Sequence, residues 1–153
     1  MTLTRPRHLL AVALVTALVV NLAVRLTYNS LPPFPLPAGA TLGVLGLAEV
    51  VAGNLLRARI RHRPGTQPVR PLVAARAVLV AKASSLAGAV MAGVWGGLLL
   101  HVLPRAADVA VAANDSLAAG VGLACALVLI GGALWLEWCC RTPDDESDEK
   151  PGE

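Results

Sequence analysis

Two charged side chains, Glu49 and Lys82, stand inside long apolar stretches of the sequence. A carboxylate or an ammonium group at the centre of a membrane span costs about 2.5 to 3.5 kcal/mol on insertion scales, so a charge there has a structural or functional reason. Glu49 lies about 12 Å of helix rise from Arg57, and Lys82 lies about 9 Å from Arg76. Because these depths are similar, we predict an ion pair between Glu49 and Lys82.

Each of these two charges lies on a face of small residues. The face with Glu49 carries glycines at spacings of four, three and seven residues: Gly39, Gly43, Gly46 and Gly53. The face with Lys82 carries small residues at spacings of four: Ser85, Ala89, Gly93 and Gly97. Small residues let membrane helices approach closely, so both faces are predicted to pack against other helices. The pair would then be a proton or ion relay, or a structural clasp that neutralises two buried charges, and the clasp is favoured.

The remaining candidates for chemistry do not converge. His8, His62 and His101 fall in different segments, so no metal site and no cofactor are predicted. Cys139 and Cys140 are adjacent and lack the CxxC spacing of zinc or redox sites, which favours reduced thiols over lipidation or redox sensing. Motifs of phosphate-binding loops, serine hydrolases and metalloproteases are missing, so an enzyme is the least favoured class.

Three polar residues, Asn21, Arg25 and Tyr28, share one helical face at spacings of four and three. They could line a shallow vestibule at the outer membrane surface. The favoured alternative is that Arg25 extends its charge to the interface, where Tyr28 acts as an anchor.

The elements that position these residues follow from composition. The chain has 153 residues, of which 56% are hydrophobic and 15% charged, and this excludes an ordinary water-soluble domain. Four apolar segments, at about 9–28, 38–56, 77–103 and 116–138, are each long enough to cross a membrane. We therefore predict an all-α polytopic membrane protein with four transmembrane helices in one bundle over residues 1–142. Residues 143–153 are acidic and are predicted to form a disordered tail.

The distribution of positive charge predicts the orientation. If both termini and the middle loop share one side, ten cationic residues lie on that side and two on the other. The positive-inside rule then makes both termini cytoplasmic. Six arginines of the middle loop and its flanks are predicted to contact anionic lipid headgroups, in preference to nucleic acid: Arg57, Arg59, Arg61, Arg63, Arg70 and Arg76.

Four stretches of the chain resemble the sequences of a known protein family. They cover residues 31–36 (LPPFPL), 57–66 (RARIRHRPGT), 74–84 and 135–145 (WLEWCCRTPDD). In this order they resemble a family of small actinobacterial membrane proteins of unknown function, domain-of-unknown-function family 3180. The resemblance spans nearly the whole chain. It implies a four-helix protein of the bacterial inner (cell) membrane, and it supplies no catalytic residue and no cofactor.

These observations favour a structural function. We expect a scaffold or accessory subunit that acts through helix packing and contacts with a membrane-protein partner or a second copy of the chain. The alternative is a small oligomeric transporter or channel with Glu49 and Lys82 on its pathway, because four helices of one chain enclose little space.

Overall fold

The chain folds into long α-helices. The computed structural model describes residues 6–27, 39–60, 71–106 and 110–140. These residues form α1 (Pro6–Thr27), α2 (Ala40–Ile60), α3 (Pro71–Val102) and α4 (Ala110–Cys139), with a 3-10 turn at Leu103–Arg105. All four helices are long and apolar enough to cross a membrane, and this part of the chain contains no strand. The prediction of an all-α fold with four candidate transmembrane helices is confirmed.

The helix ends differ from the predicted segments mainly at α4. This helix begins at Ala110, six residues before the predicted start at Ser116. The sequence 110–113 consists of alanines and one valine, which extend a helix readily, and Asp115 is buried instead of marking a boundary. The predicted connection over 104–115 is therefore mostly helical. The proline-rich stretch 31–37 and the acidic tail 143–153 lie outside the described residues.

The helices form an open row in the order α1, α3, α4, α2. α1 packs against α3, α3 packs against α4, and α4 packs against α2, whereas α2 only touches α3. Within the described residues, α1 contacts neither α2 nor α4. α1 and α3 run parallel to each other, as do α2 and α4, and the two pairs are antiparallel. Because α1 and α2 do not meet, the described helices do not close into a ring.

Because successive helices along the chain run in opposite directions, the bundle has two distinct ends along the helix axes. At one end α1 and α3 begin and α2 and α4 finish, and this end carries Arg57, Arg59 and Arg76. We call it the arginine-rich end. At the other end α1 and α3 finish and α2 and α4 begin, and we call it the His101 end.

Glycine-mediated contacts hold the outer helices to the two central ones. Three glycines of α2, and Gly39 directly before it, each lie against α4: Gly39 against Gly122, Gly43 against Cys125, Gly46 against Leu129, and Gly53 against Leu136. Two glycines of α3, Gly93 and Gly97, lie against Ala17 of α1. A methyl group added at Gly46 would come within 2.7 Å of the Leu129 Cα. Because such contacts are closer than real side chains allow, these helices approach backbone to backbone.

Candidate functional site

Lys82 and Glu137 form an ion pair between the two central helices. α3 and α4 are antiparallel, so the first half of α3 lies beside the end of α4. The Lys82 Nζ lies 4.0 Å from the Glu137 Oε1. The Glu137 side chain is 5% exposed and that of Lys82 is 38% exposed. The lysine can thus neutralise a deeply buried carboxylate while its own aliphatic stem reaches toward the edge of the bundle.

The sequence predicts a pairing of Lys82 with Glu49, and the structure gives Lys82 an ion pair with a different carboxylate, that of Glu137. α2, which carries Glu49, lies against α4 and only touches α3. The pairing of Lys82 with Glu49 stays a prediction. The prediction compared depths along two helices, but depth does not reveal which helices are neighbours. A usable signal was present, because Glu137 follows Ala133 by four residues and Ala126 by eleven, on one small-residue face of α4.

Glu49 is buried where α2, α3 and α4 meet. Its side chain is 5% exposed, and neither carboxylate oxygen makes a hydrogen bond of ordinary geometry. The Ser84 side chain of α3 interacts with this carboxyl group. The adjacent Ser85, which is fully buried, donates its hydroxyl hydrogen to the Lys82 carbonyl oxygen at 2.9 Å and is satisfied within its own helix. Glu49 is therefore a second buried carboxyl group, and among the described residues no ion pair is seen for it.

A cluster of tryptophans contacts Arg57 at the arginine-rich end. The Arg57 Cζ lies 4.3 Å from the ring centre of Trp138 and 5.9 Å from that of Trp135. The two rings are 5.1 Å apart. The Trp135 Nε1 also donates a hydrogen bond to the Asn54 Oδ1 at 3.2 Å. These contacts join the ends of α2 and α4, and such cation–π contacts contribute about 0.5 to 2 kcal/mol each.

The predicted lipid-contacting arginines fall into two groups. Arg57 stacks on the tryptophans, while Arg59 and Arg76 are exposed at the same end of the bundle. The other three, Arg61, Arg63 and Arg70, lie outside the described residues. Contact of this end with anionic headgroups stays a prediction.

The His101 end carries polar groups from α1 and α3. The Asn21 Nδ2 donates a hydrogen bond to the Gly97 carbonyl oxygen at 3.2 Å, so this residue joins two helices. One turn later, Arg25 lines a pocket together with His101 and Arg105. Tyr28, the third member of the predicted polar face, lies outside the described residues.

The cysteines are free thiols. Cys139 and Cys140 are buried and Cys125 is half-buried. Burial, with a smaller effect from Cys139, raises the pKa of the Cys140 thiol to about 11. A thiol with such a pKa is a poor nucleophile at neutral pH. Among the residues that the structure describes, no three histidine, cysteine or acidic side chains group together as a metal site would require.

The chain was compared with known families, curated proteins and solved structures. A model of the family described as "Protein of unknown function (DUF3180)" matches residues 9–144. No curated protein and no solved structure matches the chain. The family match covers all four helices and includes Glu49, Lys82 and Glu137.

Proposed function

We propose that this chain, which belongs to the DUF3180 family of proteins of unknown function, is a scaffold or accessory subunit of a bacterial inner membrane. In this function its helices bind another membrane protein. The polar groups near the arginine-rich end then hold α2, α3 and α4 together and present a fixed surface to the partner.

The observation that carries this proposal is an unfilled small-residue face on α4. Gly120, Ala124 and Gly131, at spacings of four and seven, lie on the side of α4 that points away from both α2 and α3. A methyl group added at Gly120 or Gly131 would meet no atom within 4 Å, unlike one at any of the glycines that pack helices inside the chain. Small residues in membrane helices mark close helix–helix contacts. The face is therefore suited to a helix of another chain.

The polar contacts of the bundle support the same function. Lys82 pairs with Glu137, Trp135 bonds Asn54, and Arg57 stacks on Trp138. Each contact joins two helices of this chain. Such clasps fix the relative positions of α2, α3 and α4, as a docking surface requires.

The test is to fill this face and measure association in native membranes. In the double variant Gly120→Leu with Gly131→Leu, added side chains keep a partner helix at a distance, and we expect crosslinked complexes to fall by about tenfold, which corresponds to about 1.4 kcal/mol. The matched control is Ala23→Leu, a similar enlargement at an exposed position of α1. Undiminished complexes in the double variant would contradict the proposal. Mass spectrometry of the crosslinked product identifies the partner.

A second candidate function is transport of a proton or small cation by an oligomer. Glu49 supports it, since both of its carboxylate oxygens are buried and make no hydrogen bond of ordinary geometry to the described residues. Ion pathways in membranes use such carboxyl groups. Because the described helices form an open row, the pathway would need a second copy of the chain to complete its wall.

Proteoliposomes containing a pH-sensitive dye distinguish the two functions. A transporter predicts proton flux in the wild type that Glu49→Gln abolishes and that the control Asn54→Ala retains. Equal dye response in vesicles with and without the protein would leave the scaffold function as the only one of the two.

A further inference from the structure

The pocket at the His101 end has a composition unlike the rest of the bundle. It has a volume of about 610 Å³ and is lined by Arg25, Leu100, His101, Pro104 and Arg105. Pockets of about 300 to 1,000 Å³ are typical of small-molecule and cofactor sites. Two guanidinium groups and one imidazole therefore meet in a pocket of suitable size for an organic ligand.

The pocket is built by the parallel packing of α1 on α3. Arg25 lies in the last turn of α1, His101 lies in the last turn of α3, and Arg105 ends the 3-10 turn that continues α3. One turn below, Asn21 bonds the Gly97 carbonyl oxygen, and Val24 packs among buried residues of α3 and α4. These contacts fix the end of α1 beside the end of α3. Arg25 and Arg105 are thus brought to one opening although 80 residues separate them in sequence.

His101 orients Arg105. The Arg105 Nη1 donates to the His101 carbonyl oxygen at 2.9 Å and lies 3.2 Å from the His101 Nε2. Because a guanidinium can only donate, Nε2 accepts in this contact. Among the described residues, the hydrogen bonds of Arg105 use Nη1, so its Nη2 and Nε hydrogens can be offered to a ligand. His101 is buried and acts as a positioning residue.

The charge of this pocket is positive. Both arginines act electrostatically on His101, and within the described parts of the chain neither of them forms an ion pair with a carboxylate. The nearby acidic residue of α4, Asp115, is buried and makes its own interactions, while Asp108 lies outside the described residues. The guanidinium fork matches the oxygens of a phosphate group. Leu100 and Pro104 add apolar wall beside the two charges.

We propose that Arg25 and Arg105, with Arg105 positioned by His101, bind one phosphate group at the His101 end of the bundle. The group belongs either to the headgroup of an anionic phospholipid or to a free phosphate compound. The proposal is independent of the contact face on α4, because the pocket is lined by residues of α1, α3 and the 3-10 turn and by none of the α4 glycines.

Protection of single arginines from phenylglyoxal tests the site. The full-length protein is placed in neutral phosphatidylcholine vesicles, and modification of each arginine is followed by mass spectrometry. One arm adds inorganic phosphate, and a second replaces part of the lipid by phosphatidylglycerol. In at least one arm we expect Arg25 and Arg105 to react about tenfold more slowly, at a ligand concentration about ten times the Kd. Protection in only the first arm identifies a free phosphate compound, and protection in only the second identifies a lipid.

Substituting one arginine and measuring the protection of the other distinguishes one shared phosphate site from two independent surface contacts. If one phosphate bridges both, Arg105→Gln removes the protection of Arg25, and Arg25→Gln removes that of Arg105. Arg76 at the other end is the internal control, and its reactivity should not depend on either substitution. His101→Ala should weaken the protection of Arg25 through the loss of Arg105 orientation, with unchanged helix content by circular dichroism. Protection of Arg25 that persists in Arg105→Gln, or no protection in either arm, would overturn the proposal.

Discussion

At the scale of single residues, the buried charges show what sequence can and cannot predict. The position of Glu49 among small residues predicts a buried carboxylate, and the Glu49 side chain is buried, whereas that of Lys82 is 38% exposed. The spacing could not identify their partners, because an ion pair depends on which helices are adjacent. The tryptophan contacts of Arg57 were missed for the same reason.

A double-mutant cycle tests the observed ion pair. Lys82→Met leaves the Glu137 carboxylate buried without its cation, so we expect a loss of about 1 to 3 kcal/mol in the free energy of unfolding. Combining Lys82→Met with Glu137→Gln should recover part of the lost free energy of unfolding. The interaction energy between the two substitutions should be about 0.5 to 3 kcal/mol. Unfolding in mixed micelles measures these values.

The control for this cycle pairs Lys82→Met with Glu49→Gln. Because the ion pair seen in the structure joins Lys82 to Glu137, the effects of Lys82→Met and Glu49→Gln should add to within about 0.5 kcal/mol. Strong coupling of Lys82 to Glu49, together with additivity between Lys82 and Glu137, would show that the pairing is instead the one predicted from sequence.

The reactivity of Cys140 follows from its burial. Its pKa of about 11 means that the thiolate fraction, and with it the alkylation rate, should rise about tenfold per pH unit between pH 7 and 10. Iodoacetamide labelling of a Cys125→Ala, Cys139→Ala variant measures this single thiol. A rate that levels off below pH 9 would contradict the assigned pKa.

At the scale of helices, hydropathy predicts that the four helices exist but does not predict which helices pack against each other. α3 begins at Pro71, where a proline at the first helical position loses no hydrogen bond. α4 begins six residues before the predicted segment, because residues 110–113 extend the helix and Asp115 is buried within it. The row order α1, α3, α4, α2 could not be predicted from the sequence, because the four segments are apolar on nearly every face. Any of these faces can lie against lipid as well as against another helix.

Two adjacent glycines of α3 provide a matched test of the α1–α3 contact. A side chain at Gly97 would collide with the Ala17 backbone, whereas Gly96 has open space. Gly97→Leu should therefore separate α1 from α3 and destabilise the fold by about 1 to 3 kcal/mol, as overpacking does. Gly96→Leu should be close to neutral. Crosslinking between cysteines introduced at Asn21 and Leu98 reports the contact, and equal yields in the two variants would contradict this packing.

At the scale of the whole molecule, the four helices alternate in direction along the chain. If all four cross a membrane, both termini lie on the same side of it. The arginines at the end of α2 and the beginning of α3 then predict which side that is. The chain matches its family over residues 9–144 and has four helices that are long and apolar enough to cross a membrane. The proposed function assigns binding of a partner to the outward face of α4.

The orientation can be measured with a reporter. An alkaline phosphatase fused after Pro35 should be active, because the positive-inside rule places the connection between α1 and α2 outside the cytoplasm. A fusion after Thr66 should be inactive and serves as the control. The reverse pattern would show that the termini are not cytoplasmic.

The most direct test of the proposed function is photo-crosslinking from the outward face of α4. A photoreactive amino acid at Ala124, between Gly120 and Gly131, is activated in native membranes, and Leu22 on the exposed face of α1 serves as the control position. The proposed function predicts a discrete crosslinked protein from position 124, lost in the Gly120→Leu, Gly131→Leu background, and only lipid adducts from position 22. Lipid adducts alone from both positions would contradict it.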